Sequence, residues 1–112
     1  MQLKRLLAED ARLPIGIAEI EIIGLTPDSR AVRPGFLFAA LPGSKLDGAR
    51  FAVDAAARGA AAILIAEDAV LQVPDNVPLV RVRDPRRVLA LAAARFHSVQ
   101  PETIVAVTGT NG

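Results

Sequence analysis

The sequence predicts a single α/β domain in three layers, with a mainly parallel or mixed sheet of about five strands flanked by helices. Three observations predict it. Residues 36–41 (FLFAAL) and 60–66 are short and wholly apolar, the pattern of strands covered on both faces. The segment between them carries charges four apart on one side and apolar residues on the other, as a crossover helix does. Two further strand-like runs, residues 79–83 and 103–107, then bracket a second amphipathic segment.

Taken in order, residues 1–8 read as a short amphipathic helix with Leu3, Leu6 and Leu7 on one face. Residues 19–25 (EIEIIGL) mix alternation with β-branched residues and stop at Thr26-Pro27-Asp28, a strand running into a turn. Arg33-Pro34-Gly35 makes a second turn before the strand at 36–41, which ends at Pro42-Gly43. Asp47 is placed to cap a helix with Arg50, Asp54 and Arg58 wet and Phe51, Ala52, Ala55 and Ala56 inward, and Gly59 to end it in the left-handed conformation. Residues 79–83 (LVRVR) alternate apolar with arginine, which suits a strand near the sheet edge. Asp84 and Pro85 are favoured helix starters, and Val88, Leu89, Ala92, Ala93 and Phe96 form the buried stripe behind them.

Composition narrows the function. Thirteen basic and 12 acidic residues leave a formal charge of +1, too weak a field to gather nucleic acid or an anionic membrane. An anionic ligand must be held by local geometry. There is no cysteine, and the single histidine, His97, cannot build a zinc site alone. The longest apolar stretch is far below the roughly 20 residues that cross a bilayer, and the start lacks the apolar run of a signal peptide. A reducing, cytoplasmic setting is expected.

Three places offer binding chemistry. Thr108-Gly109-Thr110-Asn111-Gly112 follows a buried strand, where α/β folds place phosphate turns, although an ordinary turn explains the same residues. Thr26-Pro27-Asp28-Ser29-Arg30 presents a hydroxyl, a carboxylate and a guanidinium after a strand. On spacing alone it is a capped turn, with Arg30 solvated or paired to Asp28. Gly43 to Gly48 encloses Ser44, Lys45, Leu46 and Asp47, either a diphosphate loop at a helix start or a plain turn.

Asp28-Ser29-Arg30, Pro34-Gly35-x-Leu37-Phe38-x-Ala40, Gly43-x-x-x-Asp47-Gly48-x-x-Phe51, Ala55 with Gly59-Ala60, and Thr108-Gly109-Thr110-Asn111-Gly112 stand together in order and spacing. In that register the chain resembles the opening region of the Mur ligases over nearly its whole length. Five fragments in register are far more specific than any one. Within the family, Leu-Thr-x-Asp-Ser-Arg and Asp-Pro-Arg-Arg look most like the member that adds the third peptide residue, expected to be meso-diaminopimelate, to UDP-N-acetylmuramoyl-L-alanyl-D-glutamate. The alternatives are the member that adds D-alanyl-D-alanine and a stand-alone nucleotide-binding module.

The resemblance implies a docking domain for the UDP part of the precursor over residues 1–102. Residues 103–112 would be the first strand and the start of the phosphate loop of a central ATPase domain, so the chain is expected to stop inside that loop. It implies uridine contacts from Pro27, through its carbonyl or ring, and from Ser29. Ser44, Lys45 and Leu46 would line the neighbouring pocket, with Arg30 and Asp47 shaping the loops. Gly109, Thr110, Asn111 and Gly112 would open the ATP loop, whose family continuation is Lys-Thr. No catalytic residue and no metal ligand is expected here. In the parent enzyme ATP and Mg2+ would activate the D-glutamate side-chain carboxylate as an acyl phosphate, which the incoming amine attacks. This portion alone should not turn over, nor should it hold either cofactor stably.

Overall fold

A computed structural model describes residues 1–13, 16–41, 48–68 and 77–99. The elements run α1 (Leu3–Leu7), β1 (Gly24–Thr26), β2 (Phe36–Ala40), α2 (Gly48–Ala57), β3 (Ala62–Ala66), β4 (Leu79–Val82) and α3 (Pro85–Val99), with 3-10 turns at Ala8–Asp10 and Ser29–Ala31. The four strands lie in the order β1-β2-β3-β4, and every pairing is parallel. The strand expected at 103–107 falls outside the described residues, as does the Asp47 cap.

Pleating divides the side chains between two cores. Leu25, Leu37, Ala39, Ala62, Leu64, Val80 and Val82 face α1 and α3, while Phe36, Phe38, Ala40, Ile63 and Ile65 face α2. The predicted three layers are therefore present. Leu3, Leu6 and Leu7 are fully buried, each contributing about 1.5–3 kcal/mol as an upper figure. α1 is also tied down from across the chain: Arg95 Nη1 donates to the Leu6 carbonyl at 3.0 Å and lies 2.7 Å from Asp10 Oδ2, at an angle too poor for a hydrogen bond.

Helix ends follow local chemistry. The Arg87 N–H donates to Asp84 Oδ1 at 3.2 Å, so Asp84 caps α3 and Pro85 opens it. The chain leaves α2 through Gly59 at φ +100°, with Gly59 N–H to Ala56 O and Ala60 N–H to Ala55 O, both 3.1 Å, forming the paired bonds of a Schellman ending. Asp54 and Arg58 pair at 3.2 Å on its wet side. β4 closes the described sheet with Arg81 exposed, as an edge strand should.

The first strand is shorter than its sequence pattern, and lies later. Ile22 N–H donates to Met1 O at 2.8 Å and Leu3 N–H to Ile20 O at 2.8 Å, so residues 20–22 pair with the N-terminal tip and only Gly24–Thr26 join the sheet. Ile23 turns outward over Gly35 between the two pairings. Gly24 can enter there because a Cβ on it would stand 2.5 Å from the Phe36 ring.

Candidate functional site

β1 and β2 are parallel neighbours, with Thr26 opposite Phe38, so the chain leaves both at the same edge of the sheet. The turn after Thr26 and the loop after Leu41 thus spring from adjacent carboxyl ends, where open parallel sheets place ligands. Ser44, Lys45, Leu46 and Asp47 of that loop lie outside the described residues, as do Gly109, Thr110, Asn111 and Gly112. The described part of the site is the turn.

That turn satisfies itself. Thr26, fully buried, accepts the Asp28 N–H on Oγ1 at 3.0 Å. Asp28 Oδ1 accepts the Arg30 N–H at 2.9 Å, which caps the Ser29–Ala31 turn, and the Ala31 N–H reaches Asp28 O at 2.9 Å. The Arg30 guanidinium folds back on the same carboxylate, Nε to Oδ1 at 3.2 Å and Nη2 to Oδ2 at 3.3 Å. Between the two charged residues sits Ser29, only 3% exposed. None of the hydrogen bonds among the described residues uses its hydroxyl.

The electrostatics follow. Hydrogen bonds from the Arg30 side chain and from its N–H, with the charges of Arg30 and Arg58 behind them, hold the Asp28 carboxyl below its usual value against a small opposing effect of burial. Asp28 in turn raises Arg30. The capped-turn reading of Asp28 and Arg30 is therefore what the structure contains, with the pair formed inside the turn.

Three contributors escape the sequence reading. Thr26 was legible only as a turn residue, although Thr-Pro-Asp is the signal for a hydroxyl that accepts two residues on. Arg58 reaches Asp28 electrostatically because α2 packs on the Ser29–Ala31 turn, a contact that no local pattern announces. Asp54 orients Arg58 from the preceding helical turn. Among the described residues no group of three or more His, Cys, Asp or Glu could hold a metal ion. The turn thus carries Ser29, 3% exposed, and the half-buried Pro27 in a frame stiffened by its own hydrogen bonds.

The sequence model described as the Mur ligase family, catalytic domain, matches residues 21–97. The chain belongs to the Mur ligase family. Its whole length is similar to several proteins named UDP-N-acetylmuramoyl-L-alanyl-D-glutamate--2,6-diaminopimelate ligase. The one from Brucella melitensis is 54% identical over 112 residues, covering 100% of this chain and 23% of the relative. Those from Bradyrhizobium diazoefficiens and Gloeobacter violaceus are 51% and 40% identical, again over 100% of this chain and over 22% and 23% of theirs. This Mur ligase chain thus spans about a quarter of the length of the relatives it matches. No helix among its described residues is long and apolar enough to cross a membrane.

Proposed function

We propose that this chain is the N-terminal, uridine-docking portion of a cytoplasmic bacterial ligase that joins meso-diaminopimelate to UDP-N-acetylmuramoyl-L-alanyl-D-glutamate in peptidoglycan synthesis. One observation carries the reading: the likeness to ligases of that name runs over 100% of the chain, at 54% identity to the Brucella melitensis protein. The turn supports it, since it places Ser29, 3% exposed, at the carboxyl end of the sheet.

In this reading residues 1–102 form the docking domain, and residues 103–112 begin a central domain whose phosphate loop opens with Gly109, Thr110, Asn111 and Gly112. Pro27 and Ser29 meet the uridine, with Ser44, Lys45 and Leu46 beside them and Asp47 shaping their loop. ATP with Mg2+ supplies the activation of the carboxylate in the intact enzyme. This portion supplies position: gripping the remote nucleotide turns binding energy into alignment of the reacting end.

The test is ligation by the intact protein. ATP-dependent addition of diaminopimelate to the UDP-linked dipeptide is expected, with Ser29→Ala raising KM for that dipeptide by about tenfold and changing kcat little. Addition of D-alanyl-D-alanine in place of diaminopimelate would defeat the reading of the reaction. An unchanged KM in Ser29→Ala would defeat the reading of the turn.

A further inference from the structure

We propose that Thr26 is a positioning residue: its buried hydroxyl fixes the peptide between Pro27 and Asp28, so that the Pro27 carbonyl is presented as an oriented acceptor for an N–H of the docked nucleotide. The inference rests on the docking reading of Pro27 and selects its carbonyl over its ring. Two closures of the same kind follow one another in the turn. Thr26 Oγ1 accepts the Asp28 N–H at 3.0 Å and encloses Pro27, and Asp28 Oδ1 accepts the Arg30 N–H at 2.9 Å and encloses Ser29. The even residues hold, and the odd ones between them are those the docking reading brings to the uridine. Pro27 keeps little freedom: its ring fixes φ, and the bond to Thr26 fixes the peptide plane that follows, hence ψ. That peptide is trans, so its carbonyl points opposite to its N–H. Because the N–H is directed at the hydroxyl of the fully buried Thr26, the carbonyl is directed away from it. Thr26 is held in turn by the sheet, as the last residue of β1 in register with Phe38. The acceptor is therefore set before a ligand arrives, which lowers the ordering cost of binding. Uracil in a nucleotide carries a single N–H donor, at N3, where cytosine carries a lone pair that a fixed carbonyl repels.

Calorimetric Kd values of the intact protein for uridine diphosphate, cytidine diphosphate and N3-methylated uridine diphosphate test this. The wild-type protein should bind uridine diphosphate about tenfold or more tightly than either analogue. Thr26→Val keeps the β-branched shape and removes the acceptor. Uridine diphosphate should then weaken by about five- to tenfold while both analogues stay within about twofold, so that the preference for uracil shrinks. Thr26→Ser restores the hydroxyl and should restore that preference to within about twofold of wild type. In ligation, Thr26→Val should raise KM for the UDP-linked dipeptide and leave kcat unchanged. An N3-methylated ligand bound as tightly as uridine diphosphate overturns the proposal on the wild-type protein alone, whether or not the valine variant folds. An unchanged preference in Thr26→Val overturns it too, as does a serine variant as impaired as the valine one, which would assign the effect to packing. If the wild-type protein binds none of the three ligands, the docking reading fails first and takes this inference with it.

Discussion

Replacing Gly59 by alanine tests whether the seam between the α2–β3 and β1–β2 connections is as tight as its geometry implies. Gly59 sits at φ +100°, where a side chain costs about 1–2 kcal/mol in backbone strain. A Cβ there would also stand 2.9 Å from Pro34 Cα, closer than such atoms approach one another, and a tight 3.1–3.2 Å from two Pro34 ring atoms. Pro34 cannot simply yield, because the Gly35 N–H donates to Gly59 O at 3.1 Å and holds the two connections together. Loosening that bond adds about 1 kcal/mol, for a total near 2–3 kcal/mol. The chain has neither Trp nor Tyr, so amide hydrogen exchange of β3 is the suitable probe. Exchange should accelerate by roughly 30- to 150-fold in Gly59→Ala. Gly59→Asn should fall between, since asparagine tolerates positive φ but still meets Pro34. Exchange within about threefold of wild type in the alanine variant would refute the argument, for neither strain nor overlap could then be present at these sizes.

Phe96→Ala should lower stability by about 3–5 kcal/mol, because the ring is fully buried in the core shared with α1 and the sheet; a fall in Tm no larger than that of a surface variant would contradict it. Arg95→Met should cost about 1–3 kcal/mol by removing the donor to Leu6 O and the counter-charge of Asp10, and the double variant with Asp10→Asn should cost less than the two separately; additive losses in chemical denaturation would mean the groups act independently. The Asp28 carboxyl should titrate below the ordinary 3.8, so its contribution to the turn is complete above that value and disappears as pH falls through the lowered one; a carboxyl-carbon NMR midpoint at or above 3.8 would count against the Arg30 pairing.

Legibility in the sequence divides by range. The α3 start, its buried stripe and the Gly59 ending were readable because caps, periodicity and positive φ are set by residues a few positions apart. Residues 19–25 read as one strand because alternation and β-branching say that a segment is extended, not what it pairs with. Met1 and Leu3 take the first half and β2 the second, and that division depends on a contact some 20 residues back along the chain. The Arg95 link to Leu6 and Asp10 spans α3 and α1 and left no local trace at all. In the site, Asp28 and Arg30 are two apart, so their pairing was a foreseeable alternative. The burial of Ser29 was not, because α2 produces it by packing on the turn.

That burial has a cause in the register of the sheet. β1 stops at Thr26 opposite Phe38, whereas β2 continues to Ala40, so the turn begins two residues short of the end of its neighbour. A chain turning there remains beside the rest of β2 and beneath α2, and can sink Thr26 and Ser29 while Arg30 stays 81% exposed. Had β1 run to the same level as β2, residue 29 would turn in solvent and its hydroxyl would be one more hydrated group, with little to gain from a ligand. The stagger keeps Ser29 in a confined place, so that a hydrogen bond made to it there is partly shielded from water. The short self-bonded turn is the device that lets a parallel crossover of only residues 27–35 be made while keeping Ser29 in that position.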